Sequence, residues 1–225
     1  LKVHDNETEL ADKNDKINTK DINYEFQSDK NYLGISAAIY ENLTSSDSDK
    51  TRFEYSVPNI LFERNLFTGD KTGVFDIKSN AFVKNFKVNE TTKFWVNDVN
   101  WQSNPFVSLN GIQNKFKGLF KIVNYEAEGA QKYKTQGLNS EVSGVLAYDA
   151  KLPMSKRYQD KNKINFFTPK LSFRYAPGHM RNIQDDDLKL SYSNAFLLNK
   201  NAEPDVIEEG ESIVTGFEIS SYELD

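Results

Sequence analysis

Long runs in which apolar and polar residues alternate one by one constrain this chain more than any other feature. The clearest is Val74 to Phe86, VFDIKSNAFVKNF. Phe75, Ile77, Ser79, Ala81 and Val83 fall on one side of it. Asp76, Lys78, Asn80 and Lys84 fall on the other, with Phe82 out of pattern. A period of two is the signature of an extended strand, whose successive side chains point to opposite faces. Thr91 to Ser103 repeats the pattern, with Trp95, Val99 and Trp101 against Phe94, Val96, Asp98 and Asn100. So does Gly210 to Tyr222, where Ile213, Thr215, Phe217 and Ile219 alternate with Val214, Gly216 and Glu218.

Weaker runs of the same kind cover Ile22 to Gln27, Tyr32 to Glu41, Arg52 to Phe62, Asn114 to Tyr125, Glu141 to Lys151, Ile164 to Tyr175 and Leu188 to Leu198. The total is about ten strands, several near the roughly 9–11 residues with which a tilted strand crosses a bilayer. Turn chemistry separates them. Asn110-Gly111 tolerates the positive φ of a tight hairpin; Thr68-Gly69-Asp70 to Gly73, Pro177-Gly178 and Glu209-Gly210 are turn sequences as well. Ser45 to Lys50 reads as an exposed loop. Pro58 and Pro169 cannot donate to a ladder, so each marks a bulge, a kink or a strand start. Leu1 to Lys16 is polar and reads as a loop or frayed end; residues 17–225 read as a single all-β unit. No repeat of fixed length and no linker divides it.

Composition narrows the solvent on each face. Hydrophobic residues make up 38% of the chain, yet aromatics reach 13%. That combination suits strands with one oily and one wet face better than a thick two-sided core. Net charge is −5 with signs interspersed, which argues against nucleic acid as a partner. The absence of cysteine removes disulfides, thiolate metal sites and cysteine nucleophiles. No apolar run approaches a membrane helix, so a crossing of the bilayer requires closed strands.

Alternation alone does not separate a barrel from a soluble sandwich. The length of the runs favours the barrel, because soluble strands average about 5–6 residues. Tyr40, Trp101, Tyr125 and Tyr175 lie beside loops, where barrels place interfacial rings. On this reading Asp76, Lys78, Asn80, Lys84 and Arg174 face a watery lumen. The chain also reads as a piece of a longer protein, beginning at Leu1 without an initiator methionine or signal peptide and stopping at Asp225 just past a strand.

Signals for chemistry are weak. His4 and His179 lack partners at metal or triad spacing. Asp185 to Asp187 lacks the alternating ligands of a calcium loop. Glu208 and Glu209 are adjacent, so on a strand they would point apart rather than act as paired acids. No phosphate-binding glycine loop is present. No catalytic residue, metal or cofactor is expected, and the chain is read as something other than an enzyme.

The final third carries a resemblance. Ile164 to Tyr175, INFFTPKLSFRY, is followed by Ala176-Pro177, Asn182-Ile183, Asn194-Ala195-Phe196 with Leu198-Asn199, Glu208-Glu209-Gly210 and Thr215-Gly216. This succession resembles the barrel domain of the lipopolysaccharide-assembly outer-membrane family LptD, also called the organic-solvent-tolerance proteins. Phe75 to Trp101 and Lys121 to Tyr125, KIVNY, are similar to that family's middle strands. The chain departs from it at Lys200 to Asp205, where an arginine and a glycine are replaced, and the family's disulfide cysteines have no counterpart here.

The resemblance implies a fold: an antiparallel, up-and-down transmembrane β-barrel wall, present as a partial, open and curved sheet. It implies a place, the outer membrane of a Gram-negative bacterium, with outer-membrane lipids around the wall. And it implies partners: lipopolysaccharide as cargo, a plug lipoprotein, LptE, and a periplasmic bridge of Lpt proteins. The competing expectations are another outer-membrane barrel, a porin or receptor, and a soluble carbohydrate-binding β-sandwich.

Overall fold

The computed structural model describes residues 2–4, 17–42, 53–86, 90–129, 137–158, 162–178, 194–200 and 205–223. Among them there is no helix. Twelve segments form one antiparallel sheet: β1 (Lys2–His4), β2 (Ile17–Gln27), β3 (Asn31–Asn42), β4 (Phe53–Gly69), β5 (Gly73–Phe86), β6 (Glu90–Gln102), β7 (Phe106–Val107), β8 (Gln113–Glu128), β9 (Asn139–Lys151), β10 (Met154–Tyr158), β11 (Lys163–Ala176) and β12 (Gly210–Glu223). Each strand pairs with its neighbour in sequence, the order of an up-and-down meander, save that β6 pairs with β8 and β9 with β11, because β7 and β10 continue β6 and β9. The sheet is open: β1 pairs with β2 alone and β12 with β11 alone.

Two pairs of segments are single strands with an interruption. β9 and β10 keep one register against β11, Lys151 opposite Lys170 and Met154 opposite Phe167. The break falls at Leu152 and Pro153, where proline has no N–H to give; the Leu152 N–H still donates to the Pro169 carbonyl at 3.1 Å. β6 and β7 both pair with β8, but the register slips by one residue across Ser103 to Pro105, a bulge. Counted so, twelve segments with two continuous pairs make ten strands.

The expected strands are present with longer ends, except that Asn194–Leu198, the described part of the expected run from Leu188, is turn and bend rather than strand. In that stretch Asn194 closes a turn by accepting from the Leu197 N–H at 3.0 Å, and its side chain bonds the Lys200 carbonyl. Side-chain capture of the backbone by asparagine competes with a ladder. A second correction concerns the polar N-terminal stretch, where Lys2–His4 pairs with β2 along the sheet edge. The expected loop at 45–50, His179 and the Asp185–Asp187 run lie outside the described residues.

The turns follow their chemistry. Asn110-Gly111 caps the β7–β8 hairpin, with Gly111 at φ 79° and its N–H donating to the Ser108 carbonyl at 2.9 Å. Gly73 has φ 83°, and a Cβ there would lie 2.0 Å from the Gln102 carbonyl oxygen, so no other residue fits. Pro58 sits where the β4–β5 register slips between Ser56 and Asn59.

Register decides the faces, because directly opposed residues in an antiparallel pair point the same way. One face carries Ile22, Tyr24, Ile35, Trp95, Phe120, Leu146, Leu171, Phe173, Ile213, Phe217 and Ile219. All are exposed, Leu146 at 63% and Ile213 at 70%. The opposite face carries most of the charge and is the enclosed one. Val96, Val123, Lys121 and Arg174 there are 1–2% exposed. Burial on one side of a single layer follows from curvature, which crowds side chains on the concave face, and around Arg174 from the β11–β12 connection laid over that face. Phe82, out of pattern in the sequence, belongs to that inner face: its ring stacks on Phe94 at 5.0 Å, and Phe94 on Tyr125 at 5.7 Å.

Replacing Phe94 by alanine is expected to empty the middle of this three-ring stack and lower unfolding stability by about 3–5 kcal/mol. Urea unfolding of the chain in detergent micelles measures it, and a loss under about 1 kcal/mol would show that the stack contributes only contact area.

Candidate functional site

The enclosed face is built in rows that run across the strands. One row links Tyr32, Glu63, Lys78, Asp98, Lys121 and Ser143, each opposite the next on β3, β4, β5, β6, β8 and β9. Its charges alternate in sign. Lys78 Nζ lies 2.9 Å from Glu63 Oε1, with both side chains partly exposed. Lys121 Nζ lies 2.7 and 2.9 Å from the two Asp98 oxygens, with only 1% of its side chain exposed. A lysine so deeply placed is tolerated only with its charge answered. The neighbouring row carries Asn65, Asp76 and Asn100, and Asn65 Nδ2 donates to Asp76 Oδ1 at 2.9 Å.

Asp76, Lys78, Asn80, Lys84 and Arg174 thus share one face of one sheet. Asp76 and Lys78 line a polar hollow of about 420 Å³ with Tyr32, Glu63, Asn100 and Gln102. Asn80 is half-buried between Leu61 and Val96, its Oδ1 without a hydrogen-bond partner among the described residues. Lys84 sits further along β5, its ammonium 5.2 Å from the Phe82 ring centre. Arg174 is not in this group. It lies on β11, opposite Ala147 and Ser212, where it holds a different structure in place.

That structure is the connection between β11 and β12, whose described residues 194–200 and 205–209 fold back over the enclosed face. Arg174 Nε donates to the Leu198 carbonyl and its Nη2 to the Glu208 carbonyl, both at 2.6 Å. The Glu208 carboxylate stands 4.0 Å from Arg174 Nη1. Ile207 packs with Leu119, Val145 and Ala176, and Leu198 lies against them. Lys200 Nζ donates to Ser212 Oγ at 2.8 Å, and buried Asp205 adds a second carboxylate near Lys121. The guanidinium's fixed fork suits a clamp on two carbonyls better than a lysine would.

Sequence reading missed Lys121, Asp98, Glu141 and Lys200 as members of the site. Asp98 and Lys121 both fall on the polar phase of their strands, but they are 23 positions apart, and only register reveals that they meet. Tyr125, expected near the headgroups, is instead buried at 2% and donates its hydroxyl to Glu141 Oε1 at 2.8 Å. Tyr40 is also on the polar face, opposite Thr19. Trp101 and Tyr175 do lie on the apolar face; the Trp101 indole N–H donates to the Thr72 carbonyl at 2.8 Å.

Glu208, adjacent to Glu209, has its carboxylate 4.0 Å from Arg174 Nη1. Among the described residues no group of three or more histidine, aspartate or glutamate side chains gathers as a metal site would. What remains is a wall rich in hydroxyl, amide and paired charge, able to hydrogen-bond a polyhydroxylated or hydrated solute. No family model matches the chain, and no curated protein matches it.

Lys121→Ala is expected to strand Asp98 in a buried setting and to cost about 3–5 kcal/mol of stability. Joint replacement of Lys121 by Met and Asp98 by Leu should recover most of that loss, as chemical denaturation in micelles would show; a double variant as unstable as the single one would contradict the pairing. Arg174→Met should leave β11 paired yet speed amide exchange at 194–200 and 205–209, read by hydrogen-exchange mass spectrometry.

Proposed function

We propose that this chain forms part of the wall of an outer-membrane β-barrel, with the charged face turned to a watery lumen and the apolar face to lipid, in a protein that transports and assembles lipopolysaccharide. One observation carries the membrane half of this reading: the sheet is inside out. Its exposed face is the oily one and its enclosed face the charged one. Soluble monomers rarely present a contiguous apolar patch beyond a few hundred Å², and here exposed Ile, Leu, Phe and Trp side chains recur from β2 to β12. In hydrocarbon that face needs no cover; the interior strands are laddered on both sides, and the two open edges call for further strands to complete a closed wall.

Orientation follows from the connections. Ser28–Lys30, Asp70–Thr72 and Ser108–Ile112 join strands at one end, with the short 159–162 connection; at the other lie 5–16, 43–52, 129–138 and 177–209, long connections with the single short one 87–89. Barrels of this class keep short turns on the periplasmic side and longer loops outside. The segment that Arg174 clamps would then enter the lumen from the cell surface.

The cargo half rests on the resemblance of residues 164–216 to the LptD family, and on a lumen wall suited to sugar hydroxyls. By the same resemblance the plug lipoprotein LptE, the periplasmic Lpt bridge and the surrounding lipids are partners, and translocation involves no covalent step, hence no enzyme. A porin or receptor barrel is the second reading, favoured by the same inside-out sheet. A soluble sandwich is disfavoured, since the described strands form one sheet with nothing laid on its apolar side.

The test is a matched pair of charges. Phe120→Arg on the apolar face should lower insertion into liposomes by about 2–4 kcal/mol, while Ser36→Arg on the opposite face should leave it nearly unchanged. Equal effects of the two, or recovery of the parent protein from a soluble fraction instead of the outer membrane, would sink the reading. Depletion of the parent in cells should then lower surface lipopolysaccharide; unchanged surface lipopolysaccharide would leave the porin or receptor reading.

A further inference from the structure

The enclosed face holds a second hollow, apart from the one that Asp76 and Lys78 line. It has a volume of about 470 Å³ and lies between β8, β9, β11 and β12, with Phe196 of the folded-back connection at its side. Four lysines line it: Lys115, Lys117, Lys151 and Lys170. Two carboxylates answer them, Asp149 paired with Lys117 and Glu218 paired with Lys170. Four positive and two negative groups leave a formal charge of +2 in a chain whose net charge is −5.

The placement is unfavourable as it stands. Lys151 and Lys170 are directly opposite on adjacent strands, an arrangement of like charges that destabilises a sheet. Lys115 donates its Nζ to the neutral Gln102 Oε1 at 2.6 Å, while Asp149, directly opposite it on β9, is paired with Lys117. Lys151 has no carboxylate partner among the described residues. An anion seated between these ammonium groups would relieve the repulsion. No arginine lines the hollow. Lysine ammonium groups act as point charges and hold phosphate by charge rather than by a bidentate fork. Phe196 adds an apolar ring at the edge of the charge, a surface for the C–H face of a sugar.

We infer that this hollow binds a phosphorylated sugar, with Lys115, Lys151 and Lys170 around the phosphate and Phe196 against the ring. The inference rests on the proposed lumen, where it supplies a foothold for the anionic part of a passing glycan. The phosphate contacts are charge-assisted and partly solvent-exposed, so affinity falls with salt.

Calorimetric titration of the full chain folded in detergent micelles at low salt tests it, with glucose 1-phosphate, glucose and inorganic phosphate as probes. Glucose 1-phosphate should saturate, glucose should not bind, and inorganic phosphate should bind more weakly than the sugar phosphate. Lys151→Gln should weaken glucose 1-phosphate about tenfold, the loss of one charged hydrogen bond. Lys151 is exposed and packs no core, and Lys115→Gln gives a second, independent reading of the same loss. Phe196→Ser should bring the sugar phosphate down to the affinity of inorganic phosphate. Absence of saturation, unchanged affinity in both lysine variants, or equal affinity for phosphate and sugar phosphate would overturn the inference. Liposome insertion is measured separately: binding without insertion keeps the hollow and removes the barrel, and insertion without binding does the reverse.

Discussion

Every property of this molecule depends on the strict opposition of side chains across a single antiparallel layer. A slip of one residue in any pairing would carry a whole strand's oily side chains onto the charged face and its charges outward. Across β5, β6, β8 and β9 the register holds without a slip, and that is where the alternating row from Lys78 to Ser143 is continuous. The irregularities are confined to the β3–β4 and β4–β5 pairings and to the β6–β7 step. Bulges there bend the sheet and absorb Pro58 and Pro105 while keeping the phase of the faces.

Enclosing the charged face creates the second demand. Groups there lose water and must find each other. Lys121 with Asp98, Tyr125 with Glu141, and Ser172 with Asp149 at 2.6 Å each join residues from neighbouring strands. Cross-strand pairs of this sort tie the wall laterally in addition to its backbone ladder. The aromatic stack of Phe82, Phe94 and Tyr125 does the same work without charge. The inner face is therefore mixed: ionic toward the short-turn end, aromatic toward the other. Arg174 then fixes the β11–β12 connection by two main-chain carbonyls, and buried side chains of the connection, Ile207 and Lys200 among them, add to that hold.

The strands from Val74 to Trp101 and from Gly210 to Tyr222 were legible because each alternation is written in consecutive residues, as was the hairpin at Asn110-Gly111. Met154–Tyr158 escaped because it has no apolar phase; it is a strand only because β11 extends past Lys151 and offers it a partner. Asn194–Leu198 misled in the other direction, since apolar residues that pack inward on a connection look the same in sequence as those of a strand. Of the candidate residues, Asp76, Lys78, Asn80 and Lys84 could be assigned to one face from their own strand. That Arg174 clamps a connection instead of joining them could not, because its partners Leu198 and Glu208 are 24 and 34 positions away.

The sequence by itself determined that this chain makes long two-faced strands with tight turns, because side-chain period and turn chemistry are local properties of the backbone. It also determined which residues share a face within each strand. Only the tertiary structure decided which face is enclosed, because curvature arises from all the pairings at once and no single strand carries it. The meeting of Lys121 with Asp98, the crowding of four lysines around one hollow and the folding of the β11–β12 connection onto the charged side all depend on register between distant segments, which no local pattern encodes.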